Sequence, residues 1–423
     1  MKTFRNYYFP KLQTYQLSNG LTIVWNPRQE INSFYLEAFI QTGSAQEPGN
    51  CPGLAHFLEH LLLFSPTQSF PTAESISRFT ARIGGWIDGE IDYHRIKIEA
   101  NFPLENLIEG VQLVKEIIFF SKFRPEIIAA ERQRIIQEIK SREDNPSLKI
   151  LDLLYEQRAK EKDSALRNSV GTEFSIKKIT SDDLEKFYQK MIHPSNVFLV
   201  MSGPFSLKQD IEKRIIPSLE TIEAKSQPVL PYRKTTFTSF QRKHYPQPNL
   251  QEIYFGCSFP MTPFSFAEEL KLELLHYLLN YTATSILSKI RENGLAYDIG
   301  TGHFALPRKA FFYFVGHTEN LSKVEEIFHY FKKNLLENPL FLTPVLFQQA
   351  KEQYLHFSLV DLESPDVFPR LVGEYYTKNK KILDSQLKIR EISHISFDQV
   401  KTLITKLFSQ QHMNILTMGE TKK

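Results

Sequence analysis

Two histidines and a glutamate, His56, Glu59 and His60, stand in the pattern H-x-x-E-H. On a helix, residues four apart project from one face at adjacent turns, so both imidazoles can reach one tetrahedral metal ion. Glu59 adjoins His60 and follows His56 by three, which brings its carboxylate near that face, where it could act as general base on a water held by the metal. Such a centre needs a third protein ligand and keeps one position open for water. Two later glutamates, Glu131 and Glu138, can supply it. Seven residues span nearly two helical turns (~7.2 residues), so the pair lies along one face, one able to ligate while the other orients the site. Taken alone, the five-residue pattern also suits a core helix with satisfied histidines, because Leu54, Phe57, Leu58, Leu61 and Leu62 would bury much of it.

The surrounding sequence supplies elements to hold these groups. A hairpin is expected at the start, with strands over 14–17 and 21–25 joined by a Ser-Asn-Gly turn, because Asn-Gly favours the backbone of tight turns. A strand over 34–41 leads into a Gly- and Pro-rich loop, 43–53, and then an apolar stretch, 54–64, too long for a strand and suited to a buried helix. Residues 72–83 read as a helix capped by Thr72 and stopped at Gly84-Gly85. Partial alternation over 91–100 predicts one strand that includes His94. Helices are expected over 104–120 and 125–142, the second starting on Pro125. In the second half the order repeats: a strand over 252–258, a helix over 266–290, a Gly-containing loop, a strand over 310–316 and a helix over 321–336.

Length and composition bound the rest. A chain of 423 residues exceeds one ordinary core and suits two domains. The expected division is a first domain over 1–222, a Pro-containing polar linker over 223–234, and a second domain over 235–423. With 42% hydrophobic and 23% charged residues the chain should fold, and a net charge of +3 without a dense basic tract is too small a surplus to imply a nucleic-acid footprint, so no nucleic-acid partner is expected. Cys51 and Cys257 make neither a disulfide framework nor a C-x-x-C site. No secretory apolar core and no membrane-length apolar run are present, so the expectation is no membrane association and a cytoplasmic location.

The segment GSAQEPGNCPGLAHFLEHLLLF, residues 43–64, resembles the metal-site signature of the pitrilysin and insulysin family, the inverted zincins that include mitochondrial processing peptidase. ERQRIIQE, residues 131–138, resembles the family's second element, and KIRENGLAYDIG, residues 289–300, its arginine-tyrosine element. The resemblance implies one Zn2+ per chain on His56, His60 and Glu138, with Glu59 as base and Glu131 as a supporting carboxylate. It implies that Arg291 binds peptide carbonyls and that Tyr297 stabilises the oxyanion. One departure stands out. Many relatives carry Asn-Ala on the strand that receives substrate, where this chain has Asp88-Gly89 after Gly84-Gly85. Gly85, Asp88 and Gly89 are therefore candidate substrate-binding residues on a strand edge that could pair with an extended peptide. The acids Asp88, Glu90 and Asp92 hint at a taste for basic peptides.

The resemblance also implies an α+β fold: two related α/β domains in tandem, each a mostly antiparallel sheet covered by helices, forming half of a clamshell. Family members enclose peptide substrate in a chamber of four such domains, and this chain supplies two. The implied assembly is a homodimer, or a heterodimer with a related subunit, in which the arginine-tyrosine pair of one subunit completes the zinc site of the other. The alternative is a non-catalytic structural or peptide-binding partner in a heterodimeric peptidase. Chains of that kind usually lose metal ligands, and every implied ligand is present here.

Overall fold

The computed structural model describes residues 9–28, 31–157, 169–225, 242–261, 264–280, 285–306, 309–337, 339–408 and 414–420. Its strands are β1 (Gln13–Gln16), β2 (Thr22–Pro27), β3 (Ser33–Ile40), β4 (Trp86–Ile91), β5 (Ile96–Pro103), β6 (Val197–Gly203), β7 (Arg242–Pro246), β8 (Ile253–Met261), β9 (Asp298–Leu306), β10 (Lys309–Thr318) and β11 (Asn414–Gly419). They form one sheet in the order β1-β2-β6-β3-β5-β4 and another in the order β7-β11-β8-β10-β9. Apart from the extra β1, the two orders are the same when read in chain sequence. The parallel pair recurs too, as β2 with β6 and β7 with β11, and all other pairings are antiparallel. The expected α+β duplication, with mostly antiparallel sheets, is what the chain forms.

Local sequence explains the early elements. At the first hairpin Gly20 takes φ +93°, which favours glycine, and the Asn19 side chain accepts from Leu21 N at 3.1 Å. Helix α1 (Leu54–Phe64) carries the H-x-x-E-H residues. Its first turn is capped from the preceding loop, where the Glu47 carboxylate accepts from Gly53 N (3.1 Å) and Ala55 N (2.8 Å), a negative group at the positive end of the helix. Helix α2 (Ala73–Arg82) starts at Thr72, whose side chain accepts from Ser75 N. It ends as expected at Gly84, with Gly84 N donating to Ala81 O and Gly85 N to Thr80 O. Helix α3 (Leu107–Phe119) lies beneath the sheet, and α4 (Pro125–Glu143) begins on Pro125.

Three expectations are corrected. Residues 91–100 are not one strand. They are the end of β4, a turn and the start of β5, because Asp92 accepts from His94 N (2.6 Å) and Arg95 N (2.8 Å) and folds the chain back. His94 is therefore a buried turn residue. The loop expected after residue 290 contains β9, whose Gly300 and Gly302 hide its strand character. A Cβ on Gly302 would lie 2.4 Å from the Tyr313 hydroxyl, so close contact with β10 explains that glycine. The helix expected over 266–290 is described as Phe266–Asn280 and Ile286–Glu292.

The chain divides into two compact units that do not follow it in two blocks. One takes the described residues of Met1–Ser141, Glu161–Thr235 and Asp361–Ser385, and the other those of Arg142–Lys160, Thr236–Val360 and Gln386–Lys423. Of the expected linker, 226–234 lie outside the described residues. In the first unit, α1 and α3 pack on one face of the sheet around Ile96, Ile98, Ala100 and Phe102. The helix Val367–Asn379 covers the other face at β3 and β6, with Tyr376 against Phe198 (4.4 Å between ring centroids) and Glu374 paired with Arg95 at 2.9 Å. In the second unit, α5 (Pro146–Glu156) covers β8, β10 and β11, packing Ile150 and Leu154 against Leu416 and Met418.

Candidate metal centre and active site

Helix α1 is anchored by apolar burial of Leu54, Phe57, Leu58, Leu61 and Leu62, leaving the face with His56, Glu59 and His60 toward α4 and β4. His56 and Glu59 are buried, at 3% and 6% exposure. The two Nε2 atoms of His56 and His60 lie 3.2 Å apart. Glu138 Oε2 stands 3.5 Å from His56 Nε2 and 3.4 Å from His60 Nε2. Ligands about 2.0–2.1 Å from a tetrahedral zinc are separated by about 3.3–3.4 Å, so the three atoms are spaced as such an ion requires.

The other ring nitrogens are engaged. His60 Nδ1 meets Glu131 Oε2 at 3.2 Å, and His56 Nδ1 meets the Val170 carbonyl at 3.4 Å. With Nδ1 donating in each ring, each Nε2 faces Glu138, donating to it while protonated and offering a lone pair beside its carboxylate oxygen once the proton is displaced. That donor set fits a divalent zinc ion. Glu131 is itself buried and held by Arg134 at 2.7 Å. Burial opposes the charging of His60, but the carboxylates of Glu131, Glu138 and Glu59 outweigh it and push its pKa up to about 9. Hydrogen bonds from His56 and His60 hold the Glu138 carboxyl well below the usual carboxylate range.

Glu59 lies behind this triangle, its Oε2 4.0 Å from His60 Nε2. Burial raises its pKa, the histidines oppose that, and the negative charges of Glu138 and Asp88 add to it. A carboxylate with raised proton affinity is a stronger base, suited to accept a proton and return it. Above it runs β4, the edge strand, paired only with β5 among the described strands. A Cβ on Gly89 would lie 2.1 Å from Glu59 Oε1 and 2.9 Å from Leu63 Cδ1. The departure at this position thus has a steric reason: the strand can lie against Glu59 because the residue has no side chain. Gly85 is also held by packing, since a Cβ there would lie 2.3 Å from Phe102 Cδ1.

Helices α1 and α4 and strand β4 thus bring together His56, Glu59, His60, Glu131, Glu138, Asp88 and Gly89. Arg291 and Tyr297 belong to the second unit, at the turn between the helix Ile286–Glu292 and β9. Arg291 donates to the Ile299 carbonyl at 3.2 Å, and Tyr297 is 60% exposed. The sequence reading missed Val170 and Glu47. A backbone carbonyl has no side-chain signature, whereas an acid just before an apolar run is a helix-start signal that could have been read. A second trio, Glu269, Glu273 and His303, also has metal-ligating atoms close together. There Glu273 accepts from the Tyr354 hydroxyl and has the Lys388 amine at 3.9 Å, so protein groups already answer its charge.

Residues 27–170, which include the whole constellation, match the family described as insulinase, peptidase family M16, and residues 178–354 match the peptidase M16 inactive domain. The chain belongs to peptidase family M16. Among M16 relatives, an uncharacterized zinc protease of Rickettsia felis is 25% identical over 402 residues, covering 93% of this chain and 94% of the relative. The mitochondrial-processing peptidase subunit beta of Dictyostelium discoideum is 27% identical over 209 residues, 48% of this chain and 43% of that subunit. A protease from Helicobacter pylori of known crystal structure shares the M16 fold, with TM-score 0.87 and 18% identity over 97% of this chain and all of its own. No helix among the described residues is long and apolar enough to cross a membrane.

Proposed function

We propose that the chain is a zinc-dependent endopeptidase that cuts peptides held along β4. The observation that carries this reading is the set of 3.2, 3.4 and 3.5 Å separations among His56 Nε2, His60 Nε2 and Glu138 Oε2, with Glu59 buried beside them under the edge strand. When bound, zinc supplies Lewis acidity, lowering the pKa of water toward about 7 and polarising the peptide carbonyl. Glu131 and the Val170 carbonyl fix the histidine tautomers. Glu59 takes a proton from the attacking water and passes it to the leaving amine. The free edge of β4 offers main-chain groups to an extended substrate.

In this reading the protein works as a homodimer, or as a heterodimer with a related subunit. Arg291 of one subunit binds peptide carbonyls at the partner's zinc site, and the Tyr297 hydroxyl stabilises the oxyanion. The exposure of Tyr297 supports such a role. Mixing inactive Glu59→Gln and Tyr297→Phe chains should then restore part of the activity, because one mixed site retains both groups, and no recovery would refute completion across a dimer. We also assign the protein to the cytoplasm, in keeping with the buried free thiols of Cys51 and Cys257, and cell fractionation tests that.

A peptide-library digest read by mass spectrometry, with zinc and with chelator, tests the reading as a whole. Zinc-dependent internal cleavage is expected. Binding of the same peptides with no cleavage at saturating zinc would point instead to a non-catalytic partner subunit. The second-half match to the inactive domain bears only on residues 178–354, outside the constellation.

A further inference from the structure

The edge hairpin carries four acids, and they are not equivalent: Glu99, opposite Asp88 on β5, is paired with Lys97 at 2.6 Å. Glu90 is paired with Lys97 at 2.9 Å and with Arg95 at 3.6 Å, and Asp92 with Arg95 at 3.4 Å. Their charges are answered within the fold. Asp88 has no cationic partner among the described residues. Its carboxylate accepts only from the next main-chain amide, Gly89 N, at 2.9 Å, which holds it against the backbone of the edge strand. It lies close enough to Glu59 for its charge to be felt there.

Trp86 stands two residues earlier. Residues i and i+2 of a strand share a face and lie about 7 Å apart, so the indole and the unpaired carboxylate are neighbours on the side of β4 away from Glu59. Trp86 is 48% exposed, a large aromatic surface left open on a sheet edge. An aromatic face beside an uncompensated carboxylate is what a lysine or arginine side chain needs: an ion pair for the charge and a π surface for its stem and head.

We propose that Trp86 and Asp88 form a subsite for a basic side chain of the bound peptide, on the residue facing Asp88 across the open edge of β4, and that the same pair disfavours acidic residues there. In an antiparallel ladder, residues directly opposite one another project to the same face, so that peptide side chain emerges beside the pair. An arriving peptide carbonyl competes for the Gly89 amide and frees the Asp88 carboxylate to meet the cation. The inference rests on the peptidase reading with β4 as the substrate strand, and it adds the substrate class.

The test uses the full zinc-loaded chain and a peptide series with Lys, Gln or Glu walked through each position flanking the cut. At one position Lys should be favoured over Glu by about tenfold in kcat/KM, from an attractive and a repulsive cross-strand charge pair together. Raising the salt should narrow the ratio. Asp88→Asn, isosteric but neutral, should bring it below about threefold, and Trp86→Leu should reduce the Lys-over-Gln part. The same ratios are read as dissociation constants in a Glu59→Gln background. If no chain hydrolyses any peptide, the peptidase reading fails. If hydrolysis or binding shows no preference for Lys, or one that Asp88→Asn leaves intact, the subsite assignment is overturned.

Discussion

Glu131 Oε2 lies 3.2 Å from His60 Nδ1, and through that contact a buried carboxylate one helix away holds the ring so that Nε2 faces His56 and Glu138. Glu131 is 2% exposed, too deep to meet substrate from solvent, so its effect passes through the imidazole.

Replacing it by glutamine keeps an acceptor for Nδ1–H but removes the charge that raises ligand basicity. Zinc affinity of Glu131→Gln should fall about 10- to 100-fold, measured by competition with a chromophoric chelator. An unchanged affinity would reduce Glu131 to a packing residue.

Glu59→Gln should behave differently, because Glu59 is not needed to complete the ligand triangle. Bound zinc per chain should stay at the wild-type level while kcat falls by about 10²- to 10⁴-fold. Loss of metal along with activity would show that Glu59 is a ligand instead of the base.

Gly89→Ala places a methyl group where Glu59 Oε1 now lies, since the added Cβ would meet it at 2.1 Å. The carboxylate must turn away from its present position. We expect kcat to fall by about tenfold or more with zinc affinity unchanged, read by steady-state kinetics beside the chelator competition. Full activity would mean that Glu59 works from another rotamer.

Acid–base behaviour of the metal-free protein gives a separate check. The His60 pKa in the fold, about 9, stands above the ordinary 6.5. Its charged form therefore stabilises the fold fully below about pH 6.5, and that contribution is lost as pH rises through about 9. Glu138, with its pKa depressed below the ordinary 4.5, contributes above that value and loses its effect as pH falls. The Tm of chelator-treated protein should fall between pH 7 and 9.5, and Glu131→Gln should flatten that slope. At pH 7, zinc should displace close to one proton, seen by calorimetry in buffers of different ionisation enthalpy.

The parts of the site that could be read in the sequence are those set by local periodicity. His56, Glu59 and His60 share a helix, and Glu131 with Glu138 are in phase on another, so spacing alone put each set on one face. The duplicated order of strands and helices was also visible, because a repeat of elements survives when identity does not. The rest depends on tertiary contact. The Asx turn at Asp92 cut an alternating run in two, and Gly302 of β9 answers to Tyr313 across the ladder. No periodicity announces that the Val170 carbonyl meets His56, or that the helix Val367–Asn379 packs on the first sheet.

That last helix sets a schedule for folding. The first sheet, β1 to β6, needs a cover made almost four hundred residues into the chain, and the other sheet takes its own cover, α5, from a segment made early. During synthesis the first sheet must wait with an apolar face exposed around Phe39 and Phe198 until residue 379 has left the ribosome. Cutting the gene between the halves would therefore not yield two independent domains. Each fragment would carry the other's lid, and the first half would aggregate unless its counterpart were made alongside it.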